Sequence, residues 1–532
     1  MKTNKKFKIF TPIVASSLAF LLGGSLYGQN ITNQNCGAST NCTDITNNIT
    51  FKFGNMPEST KIDLTGNTVT FGKDIVTATL KDTGFKTQKF NFPNKTMTVT
   101  LDSGKIFNLE AENAVFKGNL VINDTGSGDS NQIGAKFTGK FSHGMEGNIT
   151  VSRTEKDENR TTLTFNDGDL GSQNNKSTIT IQRAGTSENK SKDNNGANGA
   201  LVLDFSKNSK GNLYANFRSV NQGGGNVIIK GYNNNNNTIT TTLYGNIGEQ
   251  ELSSPSTKDL NITFENAKMV GNIGHTFNVN GSGQAQGNTQ RQANDFQKRV
   301  VIFKNSASQA TNINTKNTEP NYVLTGNINS FGTGYASGKA DTNKGNHVIF
   351  EHGSMKGNIF ASRYGFRTGY NEVIFKDANT TFFGTIRVAG SFQSESKNDV
   401  TFTGATNTLK ANGNNNDVIL SNGNGCDVHN NCQHGVIGSN NITFENTTTK
   451  NTIEGNITTE AGINNVIFEN NTTSAQNNSI DAIIAMGLRN WEFGAFGGTN
   501  NITFKNHSGN NTIGSVSALK GTNNIIFGAS AK

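Results

Sequence analysis

One short motif recurs along this chain at a spacing of about 24 residues, and that spacing limits the fold more than any other feature. The motif is Asn, a mostly β-branched pair, then Phe. It reads Asn47-Asn48-Ile49-Thr50-Phe51 and Asn67-Thr68-Val69-Thr70-Phe71 near the start. It returns as Asn261-Ile262-Thr263-Phe264, Asn346-His347-Val348-Ile349-Phe350 and Asn371-Glu372-Val373-Ile374-Phe375. The last third carries Asn441-Ile442-Thr443-Phe444, Asn464-Asn465-Val466-Ile467-Phe468, Asn501-Ile502-Thr503-Phe504 and Asn524-Ile525-Ile526-Phe527. Phe350, Phe375 and Phe402 follow one another close to this interval. Leu420 is read as the aromatic's stand-in for the next coil, and Phe444 and Phe468 then continue the same interval.

Such a period holds three short strands and three turns. A second motif, Gly-Asn-Ile or Gly-Asn-Leu, often follows the first, as at Gly118-Asn119-Leu120, Gly271-Asn272-Ile273, Gly326-Asn327-Ile328 and Gly357-Asn358-Ile359. Ile, Val, Thr and Phe favour pleated surfaces, and in Asn-Ile-Thr-Phe the Ile and Phe fall on one face. Asn and Gly suit corners because both tolerate left-handed backbone. The expected fold is all-β, a right-handed parallel β-helix of about 23–27-residue coils. Stacked corner amides would form ladders, and about twenty coils would make a rod of roughly 100 Å. Phe51, Phe264, Phe303, Phe350, Phe375, Phe444, Phe468, Phe504 and Phe527 are the expected repeat core. The rival is an antiparallel sandwich or barrel array with hairpin turns.

Composition agrees with a repeat array. A chain of 532 residues is too long for one compact core, and only 32% is hydrophobic and 16% charged. Asn, Gly, Thr and Ser fill the difference. The formal charge of +8 includes Lys2, Lys5, Lys6 and Lys8, so it argues for no nucleic-acid partner. Those lysines precede a mostly apolar run from Ile9 to Leu22 and small residues up to Gly28, the order of a secretory signal. Residues 1–28 are therefore read as a signal peptide and 29–45 as an N-terminal cap. Residues 46–528 are the solenoid repeats and 529–532 a truncated end.

Cys36/Cys42 and Cys426/Cys432 are two close pairs with equal spacing, read as two small disulfide loops in an exported protein. The His429 and His434 near the second pair match no standard zinc spacing, so no metal or cofactor is expected. Walker, His-Glu-x-x-His and Gly-x-Ser-x-Gly motifs are missing, and no catalytic residue is assigned. Residues 186–195, 233–237 and 281–294 read as exposed loops. The stretch Asp481–Gly498, with Met486, Trp491 and Phe493, is an irregular coil or an aromatic patch.

The Asn-Asn-Ile-Thr-Phe and Gly-Asn-Ile units, following a signal peptide, resemble the vacuolating-cytotoxin-like outer-membrane autotransporters of gastric bacteria over residues 45–528. The resemblance implies a passenger β-helix exported through an outer-membrane β-barrel, with family roles in toxin action, adhesion and colonisation. No barrel of alternating strands follows the repeats here, so a separate barrel is the implied partner. Gln29–Thr50 is polar where pore-forming relatives carry an apolar segment, so vacuolating activity is not carried over. The expected function is host contact at the cell surface or after secretion, through a host glycan or protein. The alternatives are a toxin-like effector and a carbohydrate-acting β-helix enzyme.

Overall fold

The computed structural model describes the strands between residues 49 and 111 by their backbone, and the stacked strands and tight corners from 115 to 528. Residues 1–48, 125–135, 154–160, 184–200, 249–259, 275–297, 306–321, 332–341, 424–437, 470–476 and 529–532, with several shorter connections, lie outside the described residues. The signal, the cap, all four cysteines and the loops at 186–195, 234–237 and 281–294 fall there. Among the described residues every regular element is a strand, and no helix is long and apolar enough to cross a membrane.

The fold is a parallel β-solenoid. One coil shows the plan: strands Tyr370–Lys376, Thr380–Phe383 and Ile386–Gly390, with a corner between each. The first position builds one long sheet. From Ile75–Leu80 to Thr522–Phe527, one strand per coil pairs parallel with the next, in chain order. Among the described residues no pairing joins the last strand back to the first, so this sheet is an open ladder. The second and third positions stack the same way into the facing wall. The stack continues across residues 73–113 and 165–201, where the motif is weak: Ile75–Leu80 pairs with Ile106–Ala111, and Thr161 with Leu201.

The shaft is filled by columns of like side chains. Ile442 and Phe444 are buried while Thr443 between them is not, the alternation a pleated strand imposes. Phe264, Phe303, Phe350, Phe375, Phe402, Phe444, Phe468, Phe504 and Phe527 are successive register partners with near-parallel rings, 4.7 to 5.1 Å apart. That separation is the strand spacing itself, so each ring sits at stacking distance without adjustment. An earlier stack, Phe141, Phe165 and Phe205, uses an inward position two residues further along: Leu203, not Phe205, is in line with Ile229 and Phe264. Facing them run Leu324, Met355, Phe382, Leu409 and Ile453, and beside those Ile328, Ile359, Ile386, Ile419 and Ile457.

Several expectations need correction. Leu420 does not stand in the Phe column. Its partners are Arg387 and Thr458 in the facing wall, and Phe402 pairs directly with Phe444. Coil length is also not uniform. Equivalent positions lie 25, 27, 42, 24, 36 and 23 residues apart in successive coils, because long connections are spliced into a constant shaft. Among the described residues the long sheet stacks about fifteen coils, a height of roughly 70 Å. Phe51 pairs with Val99 in the facing wall. Asn67–Phe71 is an antiparallel partner of Thr60–Leu64, so the rival geometry does occur there as a short meander at the start of the long sheet.

Asn and Gly divide the corner work differently from expectation. Gly271, Gly326 and Gly357 adopt φ of 151°, 146° and 137°, and a Cβ on any of them would overlap the carbonyl oxygen of the glycine one coil away. Gly is required there by close approach as well as by φ. The adjoining Asn is there for its side-chain carbonyl, which accepts the backbone N–H of its counterpart in the next coil. Asn327 to Asn272, Asn358 to Asn327 and Thr385 to Asn358 are each 2.9 Å.

Candidate functional surface

The doubled Asn of the repeat resolves into two ladders. The first Asn of each pair points inward. Asn346, Asn371, Asn398, Asn440, Asn464 and Asn500 are fully buried, and each Nδ2 donates to the Oδ1 of the next at 2.8 to 3.0 Å. Most also donate to a main-chain carbonyl across the shaft, as Asn398 does to Arg387 and Asn464 to Thr458. The ladder starts on buried Arg299, whose Nε donates to Asn346 Oδ1. A buried amide is tolerated because its donors and acceptor are engaged.

The second Asn of each pair forms a column on the outer face of the long sheet: Asn441, Asn465, Asn501 and Asn524, linked at 2.7 to 2.8 Å. In three consecutive coils this column changes chemistry. The register partners are His347, Glu372 and Asp399, followed by Asn441. His347 Nδ1 lies 2.6 Å from Glu372 Oε2, and its ring meets the edge of Tyr370. The Tyr370 hydroxyl donates to Asp399 Oδ2 at 3.1 Å, and Asn441 donates to Asp399 Oδ1 at 2.8 Å. Lys397 pairs with Asp399 at 2.9 Å. Burial, then the charges of Asp399 and Glu372 and the hydrogen bond to Asp399, push the Tyr370 phenol well above its ordinary range, so it stays a donor. His347 Nε2 is buried without a hydrogen-bond partner.

Sequence reasoning took these residues for ordinary repeat positions and scattered histidines. The signal was present all the same. Asn-His-Val-Ile-Phe, Asn-Glu-Val-Ile-Phe and Asn-Asp-Val-Thr-Phe are consecutive repeats in which the outer Asn is replaced by a titratable residue. The carboxylates here are already paired, and the cluster lies on a sheet face. Among the described residues no three His, Cys, Asp or Glu side chains gather to hold a metal ion. Beside this column runs a half-buried stripe of Ile349, Ile374, Thr401, Thr443, Ile467 and Thr503, and then the pairs Glu351–Lys376 and Glu469–Lys505. The face is charge-balanced and offers amides and hydroxyls at the strand repeat.

A second surface follows from the topology. The corner at which the third strand of a coil hands over to the long sheet takes connections of very different length. Residues 460–462 suffice between Thr459 and Ile463, whereas 275–297 intervene between Gly274 and Lys298. Cys426 and Cys432 fall in the connection between Gly423 and Ser439 at this corner, outside the described residues, as do Cys36 and Cys42 at the other end of the chain. Comparison with protein-family models, curated proteins and solved structures gives no match.

Proposed function

We propose that this chain is the passenger of a bacterial autotransporter, displayed at the cell surface or secreted, and that it makes host contact in adhesion or colonisation without catalysing a reaction. The observation that carries this reading is the set of long connections spliced into a constant shaft, most of them where the third strand of a coil returns to the long sheet and another between Lys304 and Tyr322. A rigid scaffold that varies only in its loops is the usual arrangement of a binding protein. Many weak contacts along one rod then add as avidity. The N-terminal export-like segment and the repeat resemblance support the same reading, with a host surface glycan or protein as ligand and a separate outer-membrane barrel as export partner. The test is binding of the chain from Gln29 onward to host epithelial cells, with and without glycosidase or protease treatment of the cells. Saturable binding that either treatment removes is expected. Binding to neither treated nor untreated cells, or cleavage of a polysaccharide panel, overturns the reading.

A further inference from the structure

On the outer face of the long sheet, the residue after the inward Phe, or after its aliphatic equivalent, forms a charged column. Six consecutive coils contribute Asp204, Lys230, Glu265, Lys304, Glu351 and Lys376, each the register partner of the next. The signs alternate without a break, so the row carries no net charge. Lys230 and Glu265 approach to 4.0 Å, and Glu351 and Lys376 to 3.9 Å, which are loose contacts. These four side chains remain 29% to 48% exposed and are open to further partners.

Two residues earlier on the same face lie Val202, Ile228, Thr263, Ile302, Ile349 and Ile374, again in register. All are β-branched, and all but Val202 are half-buried rather than buried. Beyond Ile374 the stripe continues as Thr401 and Thr443, where the alternation of charge has also ended. The apolar stripe and the alternating row therefore coincide over the same six coils. Alternation spares the sheet like-charge contacts between neighbouring strands. Thr164, the partner of Asp204 on the other side, meets that demand without charge. Strand pairing alone thus calls neither for a run of six charges nor for isoleucines beside it.

We propose that this face is a self-association surface, on which a second copy of the chain docks with its stacking direction reversed. The two-fold axis runs along the strands, between the coils of Glu265 and Lys304. The six-residue row is its own complement when reversed. Asp204 of one copy then faces Lys376 of the other, Lys230 faces Glu351, and Glu265 faces Lys304, each contact occurring twice. The apolar stripe lies on itself, with Thr263 against Ile302 and Ile228 against Ile349. Strand directions stay aligned, as in ordinary face-to-face sheet packing. Six strands with three outward residues each cover roughly 600 Å². Two copies bury about 1,200 Å², the lower end for a specific interface, so the dimer is reversible. Other partners fit less well: a polyion gains nothing from a row of zero net charge, and a neutral glycan has no charges to set against it. This inference does not rest on the host-contact reading.

The test is sedimentation velocity of the full chain over a range of concentrations, at low and high salt. A monomer–dimer equilibrium with no larger species is expected, and high salt should weaken it. Lys304→Glu sets like charges together at both central contacts and is expected to weaken the dimer about tenfold or more, with strand content unchanged. Adding Glu265→Lys to that variant restores opposite charges across the axis, although it leaves like charges adjacent within each copy's own column. Recovery of the dimer in the double variant is expected. A merely structural role for these residues predicts the opposite, a double variant worse than the single one. If Lys304→Glu does not fold, Ile302→Asn at the neighbouring central contact serves in its place and should also weaken the dimer. A monomer at every concentration, growth into open-ended polymers, dimerisation indifferent to the single variants, or no recovery in the double variant overturns the proposal.

Discussion

Asn398 and Asn501 occupy adjacent kinds of position in the same motif and do different work. Asn398 is fully buried; it donates to Asn440 and to the Arg387 carbonyl and accepts from Asn371. Replacing it with Ala strands two buried partners and leaves a small void. Asn398→Ala is therefore expected to cost about 2–4 kcal/mol in urea unfolding. Asn501 lies in the outer ladder, where water can replace its bonds to Asn465 and Asn524. Asn501→Ala should cost less than about 1 kcal/mol. Tyr370 adds a pH dependence. Its folded phenol is held above the ordinary value, chiefly by burial and then by Asp399 and Glu372, whereas the unfolded phenol ionises near pH 10. The folded state thus keeps its proton longer. The contribution is complete below about pH 10 and is lost as pH rises through the folded value. Tyr370→Phe should flatten the fall in urea midpoint on the alkaline side of pH 10. An equal slope in both proteins would contradict this.

At the scale of the strand and its corner, Gly-Asn-Ile is a stacking device. The Gly lets two coils approach, and the Asn carbonyl then takes the next coil's N–H. Gly326 has φ of 146° and faces the Gly271 carbonyl, so Gly326→Ala must open the corner or shift the strand. A loss of about 2–3 kcal/mol is expected, with faster hydrogen exchange at Ile328 and its partners Ile273 and Ile359. Unchanged exchange would show that the column is not under this steric constraint.

At the scale of the molecule, each coil touches only its neighbours, so stability is a sum of adjacent interfaces. That arrangement explains why insertions are tolerated. A connection of any length can be spliced in where the third strand returns to the long sheet, because loop-closure cost grows slowly with length while the shaft is unaltered. The inserted segments are thus free to vary in length without cost to the stacked strands. The last coil shows the reverse side of the same rule: Val516, Ile526 and Phe527 are among the most exposed large apolar residues of the described chain.

Periodicity alone determined the β-solenoid, the inward pairing of Ile with Phe, and the presence of amide ladders, because strand alternation and a short repeat are local properties of the chain. The tertiary structure decided which repeats align. It put Leu420 in the facing wall and Phe51 beside Val99, and it split the double Asn into a buried and an outer ladder. It also brought His347, Glu372 and Asp399 into one column from residues 25 and 27 positions apart in sequence. Register between coils depends on where each long connection lets the chain back into the stack, and connection length is a property that no motif encodes.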